Sequence, residues 1–236
     1  MTIFSAELRV GEIVAAFPGA SNLFKRYNID FCCGGGRSLA DALKQKGLAT
    51  EPVLAELHEA YEQEQRRLDK GSIDWRTAPL TALIDQIVTV HHCYLRQELP
   101  LLSQFVAKIN RVHGDRHPEL VTLNQLFHRL KPELESHMED EENRLFPLAT
   151  AYERSGDPAD LERALQCLEE LESEHQAAGD LLAAMRDLTG GFQLPPDACR
   201  TYTLTFYKLE ELESDMFQHI HLENNILHER LRAAAR

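Results

Sequence analysis

Four histidines and two glutamates carry most of the chemistry available to this chain: His92, His137, Glu141, His175, His219 and Glu223. The pairs His137–Glu141 and His219–Glu223 are spaced i, i+4, which on a helix puts imidazole and carboxylate on one face, a turn apart. Imidazole with carboxylate suits iron, manganese or zinc. A closed structural zinc site takes four ligands, often thiolates, so six donors are too many. Two carboxylates with four histidines suit a pair of metals instead, each with two nitrogens and the carboxylates bridging. A ferritin-like centre would need two Glu-x-x-His motifs and two further glutamates, and only Glu172-x-x-His175 has that spacing. The residues predict a dinuclear iron centre, weighed against a coincidental set of core histidines. A third His-x-x-x-Glu, His58–Glu62, lies on a charged helix and reads as an accident.

The elements that must position these donors are amphipathic helices. In one stretch the apolar stripe reads Leu123, Leu126, Leu130, Leu134, His137, Glu141, Leu145, Leu148, all at steps of three and four. Another reads Leu161, Leu165, Leu168, Leu171, His175, Ala178, Leu182, Met185, and a third Leu209, Leu212, Met216, His219, Glu223, Ile226. Val88, His92, Leu95, Leu99, Leu102 and Val106 make the remaining one. Polar groups buried in such stripes are costly unless satisfied together, and a shared metal centre would do that. If the four helices alternate in direction and rise about 1.5 Å per residue, the four histidines fall at a common depth of roughly 20–25 Å, and both glutamates one turn away at roughly 15 Å.

Several neighbours take a plainer reading. His91, on the Ile84/Ile87 face, competes with His92 as the ligand. His221 points away from His219 and Glu223 and reads as supporting or solvated. Glu139, Glu142 and Glu174 sit beside ligands on other faces and read as solvated charge. His113 and His117 flank a loop with an accidental-looking spacing, and Cys93, Cys167 and Cys199 read as core or near-surface thiols.

The chain of 236 residues has a formal net charge of -13, which argues against a nucleic-acid binder, since no Lys/Arg stripe is present to replace phosphate counterions. No apolar run approaches the roughly 18 residues of a membrane span, and the start lacks a basic and apolar leader. Five cysteines, an odd and scattered number, do not read as a disulfide framework, and a cytoplasmic protein is expected. The pattern is all-α. Short helical pieces at 11–17, 21–27 and 38–46 and a charged helix at 51–69 form a small N-terminal domain, residues 1–70. Four long helices follow in 71–236, opening near Thr77, Pro118, Asp157-Pro158 and Pro195, with Pro132 and Pro147 expected to bend the second. Short connections favour an up-down-up-down four-helix bundle.

Two adjacent cysteines in NIDFCCGGGRSLADA, Cys32 and Cys33, run into three glycines and a helix start at Ser38-x-x-Asp41. Gly34-Gly35-Gly36 lacks the Gly-Lys-Ser/Thr of a phosphate loop. The glycines are expected to give positive φ in a tight turn. A nearby helix N-terminus could lower a thiol pKa, which makes Cys32 and Cys33 candidate redox or docking thiols, against a structural buried pair. This stretch resembles the N-terminal ScdA-type signature of the repair-of-iron-centres family of di-iron proteins. HHCYLRQELP, SHMEDEENRLFP, ESEHQAAG and HIHLENNIL resemble the metal-binding segments of that family's hemerythrin-like domain, in the same order.

The resemblance covers almost the whole chain. It implies a hemerythrin-like bundle with two non-haem iron ions, oxo- and carboxylate-bridged, held by His92 (not His91), His137, Glu141, His175, His219 and Glu223. One departure is visible: the fourth segment continues LHER where many relatives have a phenylalanine-proline pair, so altered packing after the site is expected. By resemblance the protein acts in the nitrosative and oxidative stress response, repairing damaged iron–sulfur clusters by supplying iron. Its partners would be iron–sulfur proteins or their assembly scaffold. The alternative is a protein that binds nitric oxide, as a scavenger or slow reductase. Reversible oxygen carriage would want a fifth histidine. A homodimer through the charged helix at 51–69 is compatible with the sequence.

Overall fold

In the computed structural model, which describes residues 4–67 and 73–236, regular structure among the described residues is helical throughout, apart from one isolated bridge between Arg9 and Ser38. The expected boundary at 70–71 and the end of the helix at 51–69 lie outside the described residues. The chain divides into two compact units, Met1–Leu83 with Phe217–Arg236, and Ile84–Met216.

In the first unit, α1 (Val10–Ala16), α2 (Ala20–Arg26), α3 (Leu39–Gln45) and α4 (Thr50–Arg67) follow the expected pieces closely. Ser38 caps α3, its hydroxyl accepting from the Asp41 N–H, as the motif predicts. These short helices cannot stand alone. They are held by one apolar cluster that includes Val10, Ile13, Leu23, Phe24, Phe31, Leu39 and Leu57.

The second unit begins within one long helical run: α5 (Leu80–Gln86), a π-helical turn at Ile87–His92, and α6 (Cys93–His113). Next come α7 (Glu119–Asp140), a π turn at Glu141–Leu145 and α8 (Phe146–Ser155), then α9 (Pro158–Leu188). Asp157 caps α9 from its side chain with Pro158 at the first position, and Gly156 takes the left-handed conformation (φ 68) that closes α8. The last run is α10 (Arg200–Leu222), a π turn at Glu223–Leu227 and α11 (His228–Ala234). The helix α10 is continuous through the point where the two units divide.

Polar contacts in the second unit fix the up-down-up-down order. His92 and Ser103 on the first run meet Glu142 and His128 on the second. His137 and Arg144 on the second meet Glu174 and Glu170 on α9. On α10, Asp215 and Lys208 meet His91 and Glu98. In each pair residue numbers rise on one helix as they fall on the other, so neighbours run antiparallel. The core is the expected stripe with four shifts: Val88, Leu126, Leu148 and Leu165 are only half-buried, while Ile87, Phe127, Ala149 and Ala164 are fully buried.

Candidate metal centre

Three wide turns mark the positions where the stripe turns polar. In each, an N–H reaches back five residues instead of four: Cys93 to the Val88 carbonyl, Phe146 to Glu141 and His228 to Glu223. One turn ends on His92 and the others begin on Glu141 and Glu223. Such turns cost helix regularity and concentrate at functional sites. Pro147, expected to bend the second helix, follows the wide turn at Glu141–Leu145 directly, and that turn is the irregularity it accompanies. No proline follows the turn at Glu223, yet it forms in the same way, and His228 is fully buried at the position matching Phe146. The LHER departure therefore keeps the turn and changes the side chain packed behind it.

The first wide turn sets which of the two adjacent histidines continues the core stripe. From buried Ile87, an α-helical step of four would bring His91 to the core position. The widened turn makes the step five, and His92 takes it. His91 is also buried, but its Nδ1 meets Asp215 at 2.9 Å.

Within the second unit, His92, His137 and His175 surround Glu141, and all four are buried. The Nε2 atoms of His92 and His137 each lie 3.3 Å from Glu141 Oε2, and that of His175 lies 4.0 Å from Oε1. His137 and His175 bring their Nε2 atoms to 2.8 Å. Two of these rings are held from behind: His92 Nδ1 meets Glu142 at 2.7 Å and His137 Nδ1 meets Glu174 at 2.7 Å. Arg96 also binds Glu142 at 2.9 Å. Burial opposes the Glu142 carboxylate, but hydrogen bonds from Arg96 and His92 outweigh it and hold its pKa below the usual value. Glu142 and Glu174 are thus partners of His92 and His137, not the merely solvated charges the helix-face reading gave. Phe146 stacks on His92 at 5.8 Å between ring centres.

The donor set fits a cation. With Nδ1–H given outward to a carboxylate, the Nε2 lone pairs of His92 and His137 point inward at Glu141. Lone pairs facing a carboxylate in a dry core repel, and a metal ion between them converts that repulsion into ligation, the usual carboxylate–histidine–metal arrangement. In the first unit, His219 Nε2 and Glu223 Oε1 lie 2.8 Å apart, both fully buried. Among the described residues, groups of His, Cys, Asp or Glu able to hold a metal ion draw only on the six expected donors. With nitrogen and carboxylate donors and no thiolate, the set suits non-haem iron.

The family model for the hemerythrin HHE cation-binding domain matches residues 83–231, and a model for the ScdA N-terminal domain, described as of unknown function, matches residues 6–61. The chain is 38% identical to the iron-sulfur cluster repair protein YtfE of Shigella boydii serotype 4 (strain Sb227), covering 92% of this chain and 93% of that protein. It is 37% identical to YtfE of Escherichia coli O157:H7 over the same shares. It is 34% identical to the iron-sulfur cluster repair protein ScdA of Staphylococcus haemolyticus (strain JCSC1435), covering 92% and 95%. The chain belongs to the YtfE/ScdA family. The hemerythrin domain of this family is a non-haem iron-binding domain, and the donor clusters described above can hold a pair of ions.

The family's double-cysteine turn differs from its sequence reading. Cys32 is buried and its pKa is raised well above the usual thiol value, first by the hydrogen bond with the Cys33 thiol, then by burial and the charges of Cys33 and Asp30. These surroundings act against activation of Cys32, and no disulfide joins the pair, whose sulfurs lie 3.9 Å apart. Cys33 is partly exposed. None of Gly34, Gly35 and Gly36 has positive φ; Asn28 does, at 51°. What Gly34 and Gly35 supply is close approach. A Cβ on Gly35 would lie 2.5 Å from Asn225 Oδ1 and 2.6 Å from the Phe31 carbonyl. Asn225, two residues past Glu223, donates to the carbonyls of Phe31 and Cys32 at 3.3 and 3.1 Å. Of the two readings of His221, supporting or solvated, its burial excludes the second. Burial lowers its pKa to about 4, against a hydrogen bond with the Phe31 backbone.

Proposed function

We propose that this protein repairs damaged iron–sulfur clusters by supplying iron from a dinuclear site. In this reading residues 1–70 form the ScdA-type domain and 71–236 the di-iron bundle. His92, His137, Glu141, His175, His219 and Glu223 would hold the two iron ions. The observation that carries the reading is a buried donor set of imidazole and carboxylate without thiolate. Such a set binds iron less tightly than cluster sulfur does, so transfer runs downhill. A cavity of about 220 Å³ beside His137 and His175, with Glu133 and Glu174 among its lining residues, supports a route for a ferrous ion. The receiving partner is an iron–sulfur protein or its assembly scaffold, in the cytoplasm. Among the described residues no helix is long and apolar enough to cross a membrane. A homodimer through α4 is a subsidiary proposal, read by sedimentation.

Nitric oxide binding is the second reading. The same cavity is lined by Leu134, Ala177 and Ala178, and apolar walls suit a small uncharged gas. The experiment that separates the two is single-turnover transfer of labelled iron to an apo-cluster scaffold, run beside nitrous oxide detection from the reduced protein. Iron transfer without gas production supports donation. Catalytic nitrous oxide with no transfer makes the protein a nitric oxide reductase and removes the donor role.

A further inference from the structure

Away from the metal donors, α6 ends on His113, 21 residues beyond His92 and so about 30 Å along the helix. His113 is buried, and its Nδ1 has no hydrogen-bond partner. Its Nε2 lies 3.2 Å from Cys199 Sγ, and that thiol is exposed. A purely structural cysteine–histidine contact would bury both groups. Here the histidine is buried and the cysteine is an exposed residue.

Cys199 immediately precedes α10, and its carbonyl accepts the Thr203 N–H at 3.0 Å, the first bond of that helix. A thiolate at this position meets the positive end of the helix dipole. Tyr202 lies edge-on to His113 and His117, with ring centres 5.3 and 5.8 Å away. His117 is held by Asp197 at 2.9 Å and Glu119 at 3.2 Å, and Arg116 binds Asp197 at 2.9 Å. Glu119 and Tyr202 also line a cavity of about 340 Å³ together with Leu188, Leu194, Pro195 and Phe206. The cysteine–histidine pair thus shares Tyr202, and through His117 also Glu119, with a cavity of mixed polar and apolar lining, Thr189 and Gln193 included, in which Glu119 is the single charged lining residue.

We propose that Cys199, paired with His113, is a thiol-exchange site that takes up low-molecular-weight disulfides bearing an amine. The Cys199 proton passes to His113 Nε2, and Sγ attacks one sulfur of the disulfide. A bond forms between Sγ and that sulfur, the original S–S bond breaks, and the other half leaves as a thiolate with the electron pair. Cys199 is oxidised to the mixed disulfide, the reagent's leaving half is reduced, and His113 returns its proton to the thiolate or to water. Glu119 attracts the ammonium, and the apolar walls receive the carbon chain.

The test uses the full-length protein with cystamine as probe, following adducts by peptide mapping at early times. Cys93 is the internal reference: it is exposed, and no hydrogen bond from a histidine reaches its sulfur among the described residues. Cys199 is expected to react at least about tenfold faster than Cys93. Cys199→Ser, which puts a good capping residue at the same place, removes the early adduct. His113→Asn brings the Cys199 rate down to that of Cys93. Anionic glutathione disulfide reacts several-fold more slowly than cystamine, and Glu119→Gln removes that preference. Equal rates at Cys199 and Cys93 in the wild type overturn the proposal without any variant having to fold. A Cys199 rate unchanged in His113→Asn overturns the role of the imidazole. Glutathione disulfide matching cystamine overturns the ligand class.

Discussion

Replacing Glu142 by alanine tests whether the carboxylate behind His92 supports metal binding or only decorates the surface. Glu142 takes the His92 Nδ1–H at 2.7 Å and is itself held by Arg96 at 2.9 Å. Without it, the His92 ring loses the acceptor that fixes its tautomer, and nothing then commits Nε2 to point a lone pair inward. Loss of such a partner costs about 10–100-fold in metal affinity, or about 1.4–2.8 kcal/mol. The effect should fall on one ion of the pair, because His137 has its own support in Glu174. Glu142→Gln keeps an acceptor oxygen but loses the charge, so its loss should be smaller. The assay is competition for ferrous iron with a graded series of chelators, read as iron per chain, with far-ultraviolet circular dichroism confirming that the helices persist. The alanine variant should surrender one iron at a chelator strength the wild type resists, and keep the second. If it keeps both irons with an unchanged competition curve, the inference from second-layer geometry to affinity is wrong.

Glu141→Ala and His219→Ala should each fall below two irons per chain by metal analysis; both retaining two would remove the proposed ligand set. Arg186 forms a fork with the buried Glu213 carboxylate. Arg186→Ala strands that charge, and a loss of about 3 kcal/mol in urea unfolding is expected, at the low end for buried pairs because Arg186 stays 24% exposed; a loss under 1 kcal/mol would contradict this. Gly35→Ala should destabilise the protein by about 1–3 kcal/mol through overpacking, whereas Gly36→Ala, where an added Cβ meets nothing within 4 Å, should be neutral or slightly stabilising; equal melting temperatures for the two variants would refute the close-approach account. Stripping iron with a chelator should lower the melting temperature, and adding ferrous iron should restore it in proportion to its excess over the dissociation constant, as read by calorimetry.

Periodicity carried much of this protein in plain view. A helix repeats about every 3.6 residues, so a histidine or glutamate standing where leucine is due already declares its face. That logic placed His137, Glu141, His175, His219 and Glu223 in the core stripes, and the caps at Ser38 and Asp157 are equally local. Beyond this reach lay everything that depends on a second segment or on a departure from the α-helical step. Periodicity put His92 in its stripe too, through Leu95, Leu99 and Leu102; what it did not contain is the wide turn at Ile87–His92, which makes Ile87 and not Val88 the buried residue before it. Glu142 and Glu174 look like solvent-facing residues on their own helices and become partners of His92 and His137 only when the neighbouring helix is present. Cys32 looks activatable beside a helix start, yet its neighbour Cys33, burial and Asp30 push its pKa up. His113 and Cys199 are 86 residues apart and share no motif. A sequence pattern records which face a residue occupies; what stands opposite that face is decided by packing.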